Sequence, residues 1–268
     1  MRAIETGTEQ LLCRVEDRVA VVTLNRPEAR NALTLEMKRA LAHWVPQLGT
    51  DPGVGALLLI GAGRAFCSGG DTKRMAEDGR LTSPEERKQL LRWEHGIPSA
   101  LHRLEKPTLA ALPGPAAGAG LSLALACDLR IAAESAFVTT AYAKLGLSGD
   151  YGGSWFLSRL VGTAKARELY FTGDRIDARE CERLGLVNRV VADAELEKEA
   201  FAWAKRIAAG PPIALGWMKD NLNRAQNEPL DALLELEAER MVEGAQTEDY
   251  LEAVAAFAEK RVPAFKGR

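Results

Sequence analysis

A chain of 268 residues, 47% of them hydrophobic, carries enough apolar surface for a substantial core and excludes disorder as its main state. Its 35 basic and 37 acidic residues are well mixed and leave a formal net charge of -2, so no global field favours nucleic acid or an anionic membrane. Cys13, Cys67, Cys127 and Cys181 form no Cys-x-x-Cys pair and His43, His95 and His102 have no metal-ligand spacing, which points to a reduced, cytoplasmic protein without a metal. The opening residues Met1 to Thr6 lack the apolar run of a signal peptide, and no stretch is long enough to cross a bilayer, so a soluble, unprocessed chain is expected.

Along the chain, Val19–Leu24 is the first strand-like run, Thr34–Leu48 has helical spacing, and Ala56–Ile60 is a second strand-like run. The glycine-rich stretch Phe66-Cys67-Ser68-Gly69-Gly70-Asp71 follows. From Gly70 to Ser83 the chain is polar, with Lys73, Arg74, Glu77, Asp78, Gly79 and Arg80, and reads as a mobile loop beside a site. Ser83-Pro84-Glu85-Glu86 is a capping box with proline at the first helical position, predicting a helix from Pro84 to Leu104. Thr108–Leu112 then leads into a second glycine-rich stretch, Gly114 to Gly120, and a helix over Leu121–Cys127.

Leu129–Ala132 and Leu186–Val191 read as further strands, with helices between them at Ala164–Phe171 and after Asp177. The strand-like runs are mostly continuous aliphatic rather than alternating, and helices lie between several of them, which predicts α/β architecture. From Glu195 strand signals vanish, and helices are predicted at Glu195–Ala209, Ile213–Gln226, Leu230–Gly244 and Asp249–Lys260. The chain therefore divides into a core over 1–194 and a helical region over 195–268. Leu230, Leu233, Leu234, Leu236, Met241 and Val242 exceed what a lone helix can hide, so this region packs on the core or on a neighbouring subunit.

Each glycine-rich stretch follows a strand-like run, and main-chain N–H groups at such turns and at helix N-termini are fixed dipoles; two aimed at one point stabilise an enolate oxygen. Dinucleotide binding does not fit, because Gly61-x-Gly63 and Gly118-x-Gly120 are followed by Phe66 and Leu123 where a third glycine is required. Gly120-Leu121-Ser122-Leu123-Ala124 falls short of a nucleophile elbow and no histidine sits in a partner context. Taken singly, such glycines ordinarily permit tight turns, and an aspartate beside glycine, such as Asp150, ordinarily caps one.

The ordered series Asn25 to Leu33, Gly63 to Asp71, Lys106-Pro107 through Gly120, Cys127-Asp128, Lys144-Leu145-Gly146-Leu147, Gly185-Leu186-Val187 and Ala255 to Arg261 resembles the crotonase family of enoyl-CoA hydratases and isomerases. The resemblance implies a spiral of ββα units with a C-terminal helical region that builds a homotrimer or a dimer of trimers. It implies an acyl-CoA thioester as substrate and partner, no cofactor beyond the CoA of that substrate, and an oxyanion site at the N–H groups of Gly70 and Ala119. By the same resemblance Arg26, Glu28, Ala29, Ala65, Ser68, Gly69 and Asp71 line the CoA channel, and Lys260 meets a CoA phosphate.

Hydratases of this family use two glutamates to activate water, and at their positions this chain has Ser122 and Tyr142, which would line the acyl pocket but cannot act as a carboxylate pair. Asp150 stands where several family isomerases place their working aspartate, and the stretch Ala141 to Trp155 is most similar to the bacterial isomerases of the phenylacetyl-CoA pathway. The resemblance thus implies double-bond isomerisation with Asp150 as acid/base. A hydratase or another crotonase-type reaction, and a CoA-binding oligomer without turnover, are the alternatives. Asp128 resembles a structural aspartate of the family.

Overall fold

The aliphatic runs become strands of one large sheet. A computed structural model of the chain describes residues 1–71 and 83–268, so the polar stretch Lys73 to Arg80, expected to form a mobile loop, lies outside the described residues. The strands are β1 (Arg2–Ile4), β2 (Leu11–Glu16), β3 (Val19–Leu24), β4 (Ala56–Gly61), β5 (Thr108–Leu112), β6 (Ala116–Ala117), β7 (Leu129–Ala133), β8 (Phe137–Thr139), β9 (Ile176–Asp177) and β10 (Arg189–Val191). Seven form a sheet in the order β1-β2-β3-β4-β5-β7-β10, and β6-β8-β9 form a small second one. The first three strands pair antiparallel, and β3 through β10 of the large sheet pair parallel, with Leu59 opposite Ala110 and Ala111 opposite Ile131.

Every residue of β4 and of β5 is buried, which is why these runs are continuously apolar: a parallel sheet covered on both faces has no solvent side to alternate with. β2, by contrast, alternates buried Leu11, Cys13 and Val15 with outward Leu12, Arg14 and Glu16, as an antiparallel strand near the edge does. This strand, β1 and the short strands of the second sheet escaped the reading from apolar runs because each is short or half-exposed.

The helices are α1 (Leu35–Thr50), α2 (Pro84–Glu94), α3 (Gly96–Arg103), α4 (Ala119–Ala126), α5 (Gly153–Thr172), α6 (Ala178–Arg183), α7 (Leu196–Ala208), α8 (Pro212–Arg224), α9 (Leu230–Gly244) and α10 (Glu248–Glu259). A large-sheet strand, a small-sheet strand and a helix recur as β5-β6-α4 and β7-β8-α5, the repeating ββα unit of a spiral. The helix expected over Pro84–Leu104 is two: Pro98 has no N–H for the carbonyl of Glu94 and its ring crowds that carbonyl, so α2 stops at Glu94. The strand expected from Leu186 shrinks to β10, because Leu186 and Val187 donate to the carbonyl of Cys181 (2.8 and 3.3 Å) and close α6 instead.

α7 lies across β3, β4, β5 and β7 with Ala200 and Ala204 fully buried, so the first helix after Glu195 belongs to the layers of the core. Further on, Leu230, Leu234, Met241 and Val242 are all more than half exposed, leaving an apolar face on α9 uncovered by the described residues. The four cysteines are free and buried, and burial pushes the Cys67 thiol up to about 12. No helix among the described residues is long and apolar enough to cross a membrane, and none of their His, Cys, Asp and Glu side chains group in a way that could hold a metal ion.

One buried side chain ties the turn after β3 to the turn after β4. Asn31, fully buried with φ 56°, donates through Nδ2 to the carbonyls of Ala62 (3.0 Å) and Ala65 (2.8 Å), and its Oδ1 accepts from the N–H of Arg26 (2.8 Å). Asn31→Ala strands these groups and puts alanine in the left-handed region, so a stability loss of about 2–4 kcal/mol is expected by chemical denaturation. A loss below about 1 kcal/mol would mean water replaces all three bonds.

Candidate active site

Three segments converge beside the ends of β4, β5 and β8. The first glycine-rich stretch leaves β4 and is clamped to the second by Phe66 N–H to the carbonyl of Pro115 (3.0 Å) and Ala117 N–H to that of Cys67 (2.9 Å). Gly69 adopts φ 93°, and a Cβ there would lie 2.9 Å from the Ala117 carbonyl oxygen and 3.6 Å from the Ala119 nitrogen, so glycine is required for the two turns to touch. Gly118, at φ 52° and ψ -126°, turns the chain into α4 and makes Ala119 its first residue. Gly70 and Ala119 line one cavity of about 150 Å³. Among the described residues neither N–H donates to another group, which for Ala119 is the usual condition of a first-turn helical amide.

The third segment follows β8. A short 3₁₀ turn over Tyr142–Leu145 leads to Gly149 (φ 102°), Asp150, Tyr151 (φ 54°) and Gly152 (φ 73°), and this run of left-handed residues turns Asp150 toward the same cavity just before α5 begins. Tyr142 Oη donates to Asp150 Oδ1 at 2.8 Å. Ser122, on α4 and 1% exposed, lies behind it, with Oγ 3.3 Å from Tyr142 Oη and from the Asp150 carbonyl. Burial, then the Asp150 charge, push the Tyr142 phenol far above the ordinary tyrosine range, and the same two causes push Tyr170, stacked on Tyr142, up to about 12. Tyr142 is therefore a donor to the carboxylate and cannot serve as a base.

A fourth group was not foreseen from the sequence. Arg87, Leu90, Leu91 and Glu94 follow helical spacing on one face of α2 and all line the cavity. Glu94 is 2% exposed; its Oε2 lies 2.8 Å from Nζ of Lys38 on α1 and accepts from Tyr151 Oη at 3.2 Å. A glutamate on the stripe that carries Leu90 and Leu91 was the available signal, but nothing local says that a lysine on another helix meets it.

Of the other expected site residues, Ser68, Gly69 and Asp71 line the cavity. Arg26 borders it, donating through Nη1 to the Ala32 carbonyl (3.0 Å) and to Asp71 Oδ2 (3.2 Å). Glu28 is exposed beside Arg26, Ser68 Oγ donates to the Ala29 carbonyl (3.4 Å), and Ala65 is buried under Asn31. Lys260 ends α10 with its side chain exposed and does not line this cavity. Asp128 is structural: Oδ2 accepts from Thr108 N–H (2.7 Å) and Oγ1 (2.9 Å) and pairs with Lys219 (2.8 Å). Trp155 packs on His102 and Phe156 outside the cavity.

A parallel-rich α/β spiral, with a cavity roofed by two glycine turns and faced by a carboxylate, defines a crotonase-type enzyme. Residues 14–268 match the family model for enoyl-CoA hydratase/isomerase, and the chain belongs to that family. It is 38% identical over 260 residues to the 1,2-epoxyphenylacetyl-CoA isomerase of Escherichia coli, covering 97% of this chain and 99% of that one. It is also 38% identical to the short-chain-enoyl-CoA hydratase of Clostridium acetobutylicum, covering 94% and 96%. Among solved structures, an enoyl-CoA hydratase from Polaromonas sp. JS666 superposes with a TM-score of 0.91 at 35% identity, over 95% of this chain and 99% of that one.

Proposed function

We propose that the protein shifts the double bond of an enoyl-CoA thioester. The N–H groups of Gly70 and Ala119 hold the thioester oxygen, and Asp150 takes a proton from C2 of a 3-enoyl ester. The oxygen bears the charge of the resulting dienolate, and the same carboxyl returns the proton to C4. The reaction calls for no cofactor beyond the CoA of its substrate. The observation that carries the reading is the pairing of Tyr142 with Asp150: where the resemblance places one hydratase glutamate stands a phenol that donates to the aspartate lining the same cavity as Gly70 and Ala119, and where it places the other stands a serine buried behind it. Glu94, a buried carboxylate that also lines the cavity, is engaged by Lys38 and Tyr151.

The relative named as an isomerase agrees with this reading, and those named as hydratases favour a second one, in which Asp150 and Tyr142 hold water. The two part in a single assay. With 3-hexenoyl-CoA in D2O the isomerase reading expects conjugated 2-enoyl ester and deuterium at C4 wherever solvent exchanges with Asp150, while crotonyl-CoA hydration stays at least about 100-fold slower, the scale of a missing acid/base group. Hydration at equal or greater rate would overturn it. The exposed apolar face of α9 supports assembly through the helical region into a homotrimer or a dimer of trimers.

A further inference from the structure

We propose that Lys38 donates a hydrogen bond to an oxygen carried on the acyl group itself, so that the site takes CoA thioesters whose acyl part bears a neutral oxygen, as a hydroxyl, carbonyl or ether, beyond the thioester. The proposal rests on reading the cavity as the acyl site, and not on which reaction follows. Lys38 and Glu94 form an ion pair whose side chains are 14% and 3% exposed, and both line the cavity that Gly70, Ala119 and Asp150 share. Their neighbours along the wall, Leu33, Leu35, Leu90 and Leu91, are apolar.

An ammonium has three protons to donate. Glu94 Oε2 takes one, and Lys38 has no other acceptor among the described residues. A hydrocarbon acyl chain filling the cavity would strip water from the remaining donors and give nothing back, which is costly for a charged group. An oxygen on the acyl group accepts that bond. Its charge class follows from the lining: Glu94 neutralises Lys38 and accepts from Tyr151 Oη, and the cation Arg87 is outnumbered by Asp71 and Asp150, so an acyl carboxylate would meet no net positive charge, whereas a neutral oxygen needs only the donor.

Saturated thioesters test this without turnover. Dissociation constants are measured by calorimetry for hexanoyl-, 6-hydroxyhexanoyl- and adipoyl-CoA, and for phenylacetyl-CoA against its 2-, 3- and 4-hydroxy forms. Wild type is expected to bind at least one hydroxylated ester about tenfold or more tightly than its hydrocarbon match, the scale of a hydrogen bond to a charged donor. Lys38→Met alone leaves Glu94 buried without a counter-charge, so the neutral pair Lys38→Met with Glu94→Gln is measured beside it. In the neutral pair the preference is expected to fall to about one. Preference for the hydrocarbon in every pair, preference for adipoyl-CoA, or a hydroxyl preference that survives the neutral pair would each overturn the proposal. Binding of no ester by wild type would remove the acyl-site reading with it, whereas turnover retained by Asp150→Asn would sink the isomerase mechanism and leave this result standing.

Discussion

Asp150→Asn is expected to lower kcat by about 10²–10⁴-fold, the usual contribution of a positioned acid/base group, while the dissociation constant of a saturated acyl-CoA stays within about twofold. Asparagine has nearly the volume of aspartate and its amide oxygen still accepts from Tyr142 Oη, now 2.8 Å from Asp150 Oδ1, so the turn between Gly149 and Gly152 keeps its hydrogen bond. What disappears is the ability to take a proton. Loss of both binding and turnover would assign Asp150 to the architecture of the turn, and turnover unchanged would remove it from the chemistry altogether.

Ala119→Pro is expected to cost about 10²–10³-fold in kcat, equivalent to roughly 2.7–4 kcal/mol of lost oxyanion stabilisation. Ala119 is the first residue of α4, and its N–H has no acceptor among the described residues. Proline is well suited to a first helical position, where the N–H it removes makes no helical bond, so the substitution deletes the donor while α4 persists. Thermal unfolding and circular dichroism should move little. A variant that keeps its melting temperature and its kcat would show that the Ala119 amide holds no developing charge, whereas one that melts far lower would instead locate the damage at Gly118, whose ψ of -126° must accommodate the ring.

What could be read along the chain was largely local. Ser83 and Asp177 were read as helix starts from residue type, and Thr34 opened a stretch read from its helical spacing; the side chains of Thr34, Ser83 and Asp177 accept from the N–H groups of Met37, Glu86 and Glu180 as N-caps do. Such bonds span three residues, so the sequence contains the whole interaction. The continuous aliphatic runs of β3, β4 and β5 were legible for the same reason: a strand buried on both faces has no polar positions to confuse its reading. Boundaries failed where a distant group intervened, as at Leu186, whose carbonyl accepts from Nε of the buried Arg130 and whose N–H turns back to Cys181.

By itself the sequence determined the family and the two glycine turns, because motif order and residue chemistry are properties of the chain; that Ser122 and Tyr142 stand at the hydratase glutamate positions beside a working Asp150 is what its resemblance to that family implies. Only the tertiary structure decided that Tyr142 donates to Asp150, that α7 covers the sheet, and that Lys38, Glu94 and Tyr151 meet at the wall of one cavity. These last three come from α1, α2 and the turn before α5, and no helical or strand period relates them. Their meeting depends on how the helices pack on the sheet, through buried contacts between residues remote in sequence, and a proton on Nζ finds its acceptor only after that packing is made.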